Sequence, residues 1–339
     1  MLLAVIKLKS ILWRGERFSV VALMLTTLLL FIAPTLQAQE LSYLEGQTIS
    51  AAYEGWIEKA DGSRAFLFGY FNRNWEETPD LPIGPANFFA PGSEDQGQPT
   101  RFLPRRNRYV FEVPVPAGFS ESDELIWSLE VRGEVSRAFA SLRADYFLDN
   151  VTIMSETGAL GGGLSTPEIR ANIPPQVEPE GLVERMETRV GEPVTLSVFV
   201  TDDGQPISLR GLLTSTGNQP EYPINEDGSL KLEEAIKKPT QGTVGKQNGL
   251  HHSWFVYRGP EGGEATFNPP QTAVWEDVRP WTNSPWSNFW EPPQLPDDNK
   301  WVARVTFDKP GTYVLRGRAD DGGLWTDIDV IVEVRPLDR

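Results

Sequence analysis

The sequence predicts an all-β protein made of two antiparallel β-sandwich domains, and three observations carry the prediction. From Val305 to Val334, apolar residues alternate at Val305 and Phe307, at Tyr313 and Leu315, then at Ile328, Val330 and Val332. Pro310-Gly311 and Asp320-Asp321-Gly322-Gly323 fall between those runs, where tight turns belong. The 28 Pro, 30 Gly, 11 Trp and 17 Phe, with few long helix-forming runs, favour many short strands joined by turns. At 339 residues the chain has length for two ordinary domains, each with its own core.

Residues 1–38 read as a signal peptide. Lys7, Lys9, Arg14 and Arg17 precede the apolar run Phe18 to Ile32, and Leu36-Gln37-Ala38 offers a small-residue cut before Gln39. The run is shorter than the roughly 20 residues of a membrane span, so no membrane role is expected once the label is removed. The label holds a net +3 of the formal charge, which takes the remainder from −16 to −19. A surface that acidic repels phosphate backbones and anionic lipids, which argues against nucleic-acid and membrane partners. With no Cys the chain has no disulfide or thiol chemistry, and an exported protein of this kind rests on core size alone.

The N-terminal module is expected over 39–154. Its first hairpin pairs Thr48 to Lys59 with Arg64 to Asn72 across the turn Ala60-Asp61-Gly62-Ser63, and apolar residues on both faces of the second arm mark a central strand. Pro79, Pro82, Pro85, Pro91, Pro99 and Pro104 then break the pattern into edge strands and ordered loops. Strands resume at Arg108 to Val115, Leu125 to Arg132 and Val135 to Leu142. Residues 155–183, with Gly161-Gly162-Gly163 and Pro174-Pro175, read as a linker. The second sandwich is expected over 184–339, opening with Val194, Leu196, Val198 and Val200 on alternate positions. Leu230 to Lys238 reads as a short helix within a long excursion, and Ser253 to Arg258 and Ala265 to Phe267 as strands.

Trp254, Gly259-Pro260, Ala265-Thr266-Phe267, Lys309-Pro310-Gly311-Thr312-Tyr313, Ala319-Asp320-Asp321-Gly322 and the strand Val330 to Val334 together resemble PKD and related immunoglobulin-like modules of exported bacterial proteins. The resemblance spans roughly 184–334 and departs from the PKD pattern in lacking its Gly-Asp-Gly signature and in carrying a Trp-rich insert. Phe68-Gly69-Tyr70-Phe71-Asn72, Ile83-Gly84-Pro85 and Asp95-Gln96-Gly97-Gln98-Pro99 make the N-terminal half similar to a small β module of large secreted bacterial proteins with no assigned activity. The two resemblances imply fold and export and carry no catalytic residue.

Five constellations bear on chemistry. Asp202, Asp203, Asp320, Asp321 and Asp327 lie in or near turns of one sandwich, where converging carboxylates could hold structural calcium; Asp-Asp-Gly as plain turn chemistry is the stronger reading. Trp275, Trp281, Trp286, Trp290 and Trp301 are interleaved with prolines, either as a sugar-stacking platform or, preferred, as a plug packed on the sheet. Arg101, Arg105, Arg106 and Arg108 form a basic cluster, read as a solvated strand edge that discourages aggregation, with docking onto the second domain or an anionic partner as the rival. His251 and His252 are the only histidines, and neighbours on a strand face opposite ways, so they do not share a metal. Glu54, Glu76, Glu77 and Asp80 could supply a glycosidase pair, but a chain with 47 acidic residues offers such pairs by chance. The expected function is thus an exported, non-catalytic binding or structural module of the periplasm or cell exterior, acting on a protein or polysaccharide. The alternatives are a carbohydrate-binding protein using the tryptophans and, behind it, a carboxylate-dependent glycoside hydrolase.

Overall fold

The computed structural model describes residues 44–160, 165–181, 184–206, 249–275 and 293–337. The segment read as a signal peptide and the helix expected over Leu230 to Lys238 lie outside them. Thr48–Arg339 clusters as one compact unit, and nearly all of its regular structure is β.

The N-terminal sandwich packs two three-stranded sheets. One is β1 (Ile49–Glu58), β2 (Arg64–Asn72) and β4 (Arg105–Pro114), with β2 central and buried on both faces. The other is β3 (Asn87–Ala90), β5 (Leu125–Val131) and β6 (Glu134–Ala140). The β1–β2 turn closes as its composition demands: Gly62 takes a φ of 80°, and Asp61 Oδ1 accepts from the Ser63 N–H at 2.9 Å. Between the sheets lies an aromatic core of Phe66, Phe68, Tyr70, Phe89, Phe102, Phe111 and Trp127. Trp127 stacks on Phe89 and meets Phe111 edge-on. Its Nε1–H donates to Asn87 Oδ1 at 3.0 Å, while Asn87 Nδ2 donates to the carbonyls of Leu81 and Pro99 at 2.9 and 2.8 Å. That fully buried asparagine ties the proline-punctuated loops to the core.

The C-terminal sandwich has sheets in the orders β7 (Gln176–Pro179), β9 (Val194–Thr201), β12 (Lys300–Phe307), β11 (Ala265–Asn268) and β8 (Arg185–Arg189), β14 (Trp325–Arg335), β13 (Gly311–Asp320), β10 (His251–Arg258). Every pairing is antiparallel except β8 with β14. With the first strand divided between sheets, this is the A-B-E-D and C-F-G arrangement of an immunoglobulin-like sandwich. Two further marks of that fold are present. Trp254 on the C strand β10 is buried in the core, and Tyr313, near the start of the F strand β13, donates its hydroxyl to the Lys309 carbonyl at 3.1 Å, making a tyrosine corner. Leu315, fully buried, stands two residues on, where antibody domains place a cysteine.

Part of the stretch read as linker is ordered into the body. Helix α1 (Asn150–Thr157) is capped by Asp149, which accepts from the Thr152 N–H at 2.7 Å, and Gly158 ends it with a φ of 90°. A single turn, α2 (Pro167–Arg170), follows, and β7 already belongs to the second sandwich, ahead of the boundary expected at 184. Ile153 and Met154 of α1 pack with Leu67, Tyr109 and Leu148 of the N-terminal sandwich and with Leu324 of the C-terminal one. Apolar burial, which the Gly and Pro content of the stretch does not reveal, fixes it.

The two sandwiches also share a strand. In β10, Trp254 and Val256 enter the C-terminal core, whereas Tyr257 lies in the N-terminal core with Phe255 packed against it. Opposite, β4 bulges between Asn107 and Phe111, with Tyr109 at a φ of 50°. Arg316 and Arg318 of β13, each facing an aspartate of β14 in register, donate to the bulge carbonyls of Val110 and Tyr109 at 2.6 and 3.1 Å.

Candidate binding site

The local course of the chain after β11 builds a cavity. Asn268 is followed by Pro269 and Pro270, which end the strand. Gln271 then turns back on β10: its Oε1 accepts from the Trp254 N–H at 2.9 Å and its Nε2 donates to the Pro269 carbonyl at 2.7 Å. The pinned segment walls a cavity of about 190 Å³ between β10 and β12, lined by His252, Trp254, Pro269, Pro270, Gln271, Thr272, Pro293, Trp301, Val302 and Ala303.

His252 and Trp254 alternate onto the same face of β10, and their rings meet edge-on at 5.2 Å; Trp301 of β12 lies 6.2 Å from the imidazole. Gly317 sits opposite Trp254 on β13, and a Cβ there would stand 2.8 Å from His252 Nε2 and 2.9 Å from Trp254 Cη2. The missing side chain is what admits both rings. His252 is 4% and Trp254 2% exposed, and among the described residues neither His252 Nε2 nor Trp254 Nε1, both closed to solvent, has a hydrogen-bond partner. Burial, reinforced by the neighbouring His251, pushes the His252 imidazole down to about 3, so it is neutral at physiological pH. None of the described residues lining the cavity carries a charge.

The tryptophans named from sequence fall into two groups. Trp301 is half-buried, packs against the C-terminal core and lines the cavity. Trp275 is half-buried, and Trp281, Trp286 and Trp290 lie outside the described residues. Trp254 and His252, the more deeply buried members, went unnamed as ligand-binding residues; the i, i+2 spacing of His and Trp on one strand was the available signal.

The arginine cluster is not a solvated edge. Arg101, 6% exposed, crosses to the C-terminal sandwich, donating to the Gly263 carbonyl at 2.5 Å and to Glu264. Arg105, at a φ of 60°, lays its guanidinium 3.6 Å from the Trp75 ring centroid and donates to the Arg73 carbonyl at 2.7 Å. Arg106 pairs with Glu54 at 2.7 Å and Arg108 with Glu156 of α1 at 3.3 Å. Four positive charges close in sequence are thus directed to four separate partners, and the cluster does not exist as a patch.

The aspartates are likewise used singly. Asp321 Oδ1 accepts from the N–H groups of Gly323 and Leu324 at 2.6 and 2.7 Å, and Asn172 Nδ2 donates to Oδ2 at 3.0 Å. Burial outweighs these bonds and pushes its carboxyl up to about 7. Asp320 accepts from Gly322 N–H and Asp202 from Gly204 N–H, Asp203 accepts from Gln205 N–H, and Asp327 holds Arg318. Burial raises Asp202 to about 6. Among the described residues no three His, Cys, Asp or Glu side chains are grouped to hold a metal ion.

No protein-family model and no curated protein sequence matches the chain. Solved structures align with it at low similarity. Domains 4 and 5 of the S-layer protein SbsC align at 5% identity over 62% of this chain and 65% of that one, with a TM-score of 0.20. Fibronectin(III)-like modules of CbhA from Clostridium thermocellum align at 7% identity over 86% of this chain and 97% of theirs, TM-score 0.21. A chimeric titin Z1Z2 aligns at 8% identity over 86% of this chain and 99% of that one, TM-score 0.22. In the longer SbsC structure of domains 1–6 the chain spans only 28% of the length. TM-scores this low carry no argument, so the immunoglobulin-like assignment rests on strand order, the core tryptophan and the tyrosine corner.

Proposed function

We propose that the chain is a non-catalytic binding module working in the periplasm or outside the cell, and that it holds its ligand in the cavity between β10 and β12. The observation that carries this reading is the cavity itself, about 190 Å³ and walled by Trp301, Pro269, Pro270 and Pro293, with no charged side chain among its described lining residues. Two of the carboxylates considered for hydrolysis support the non-catalytic reading. Glu54 is bound by Arg106 and Glu77 by Arg132, and the described lining of the cavity includes no acidic residue. Export is supported by the basic and apolar pattern of residues 1–38.

A screen of small ring-containing fragments by ligand-observed NMR, run on the full chain and on Trp301→Ala, tests the binding reading. Fragments that contact the native chain and lose that contact in the variant are expected. A screen with no fragment that distinguishes the two would end it.

A further inference from the structure

We propose that Asp321 is a proton-operated clasp that fastens helix α1 and the strap 165–175 to the turn between β13 and β14. The strap leads the chain from the first sandwich into the second, and three contacts bind it and α1 to that turn. Asn172 Nδ2 donates to Asp321 Oδ2 at 3.0 Å, Thr157 Oγ1 donates to the Gly323 carbonyl at 3.3 Å, and Leu324 packs with Ile153 and Met154 of α1. Gly323 lies directly against α1 and the residues after it: a Cβ there would stand 3.1 Å from Met154 Cγ and 3.3 Å from Ala159 Cβ. Asp321 is central to all three contacts, because its Oδ1 accepts from the N–H groups of Gly323 and Leu324 and so sets the shape of the turn that the helix packs on.

Asp321 is 1% and Asn172 2% exposed. Burial opposes a charge on such a carboxyl, and the charged groups on the surrounding elements give no relief. Asp320 beside it is of like sign, and His251 of β10 stands opposite Asp320 in register. Arg318 of β13 is taken by Asp327 of β14, while Arg106 and Arg108, which line the crevice at Gly322 and Gly323, are taken by Glu54 and by Glu156 of α1. On the strap, Arg170 turns to Ser165, and Asp203, next to Asp202, accepts from the Ile173 N–H at 3.4 Å. The neutral acid suits the site better. Asn172 Oδ1 is buried without a partner, and turning the carboxamide over presents it to a proton on Asp321 Oδ2. The folded pKa, about 7, lies above the ordinary 3.8, so the clasp is tightest below about pH 4, opens more often as pH rises, and levels off above 7, where the carboxylate is hydrated only in the open form.

The test is hydrogen exchange read by mass spectrometry on the full chain at pH 5 and pH 7.5, with rates corrected for the intrinsic pH dependence of exchange, in the native chain, Asp321→Asn and Asn172→Ala. In the native chain, opening of α1 and the strap is expected to rise about tenfold or more from pH 5 to 7.5, while β9 and β12 change less. Asp321→Asn keeps an acceptor for the turn and a donor for the Asn172 oxygen at every pH, so its rise is expected to stay below about threefold. In Asn172→Ala the strap is expected to exchange fast at both pH values. The proposal is overturned by a native chain with no rise, by a rise spread equally over β9 and β12, or by an equal rise in Asp321→Asn. Should Asp321→Asn fail to fold, Asn172→Ala decides: a strap that still shows the native rise without its asparagine overturns the proposal, and one that exchanges fast at both pH values supports it.

Discussion

The Arg316 guanidinium gives a hydrogen bond of 2.6 Å to the Val110 carbonyl of the other sandwich, while Asp329 grips its Nε and Nη2 at 2.7 and 2.8 Å. The same guanidinium lies 3.6 Å from the ring centroid of Tyr257. One side chain therefore satisfies a carbonyl freed by the β4 bulge, closes an ion pair across β13 and β14, and covers an aromatic ring of the neighbouring core.

Arg316→Met is expected to lower stability by about 2–3 kcal/mol, the range for a lost hydrogen bond to a charged donor together with a stranded carbonyl. Asp329→Asn should cost less than half as much, because the Asp329 side chain is 40% exposed and water replaces its partner. Urea denaturation of the two variants checks the order, and equal losses would contradict it.

Asn87 is the junction of the N-terminal sandwich. Asn87→Ala strands the Trp127 indole N–H and removes the donor to two carbonyls, so a loss of about 3 kcal/mol or more is expected. Asn87→Asp should not rescue it, since a carboxylate cannot donate to Leu81 and Pro99. Recovery of wild-type stability by the aspartate would show that the indole bond alone matters.

Asp321 and His252 make opposing contributions to the pH dependence of stability. The folded pKa of Asp321, about 7, lies above its ordinary 3.8, so its contribution is full below about pH 3.8 and is lost as pH rises through 7. The folded pKa of His252, about 3, lies below its ordinary 6.5, so its contribution is full above 6.5 and is lost as pH falls toward 3. Each is worth on the order of a few kcal/mol across its window. Relative to the native chain, Asp321→Asn should lose stability on acidification from pH 6.5 to 4.5, and His252→Gln should lose it on the opposite change. Urea midpoints at four pH values decide, and parallel slopes for all three proteins would refute the assignment.

Gly317→Ala places a methyl group against both rings of the cavity. Forcing it in should cost about 1–3 kcal/mol, and near-ultraviolet circular dichroism should report a changed Trp254 environment. An unaltered spectrum and stability would mean the rings have room that their 2.8 and 2.9 Å approaches deny.

Local pattern was legible where strands are consecutive. The hairpin of β1 and β2, the alternation of β9 and the closing pair of β13 and β14 follow from period and turn residues alone. What local pattern could not convey is the choice of distant partner. Arg101 and Arg108 differ little in sequence setting, yet one is buried across the interface and the other reaches a helix. Asp321 looks like any turn aspartate until Asn172, from the stretch read as linker, is found bonded to it. The cavity was illegible for the same reason: His252, Gln271 and Trp301 are brought together only when β10 and β12 take their places in facing sheets.

The double allegiance of β10 bears on how such a chain can evolve. Sandwich modules in tandem are commonly exchangeable, because each one closes its own interior before the next begins. Here Tyr257 completes an interior encoded by residues 49–142, although its own strand belongs to the later module. A recombination point placed between the two halves would hand the first half to a neighbour that lacks this ring and leave the second with an aromatic face bared to water. The two halves are therefore expected to fold as a unit, and expression of either half alone should yield aggregate rather than a soluble domain.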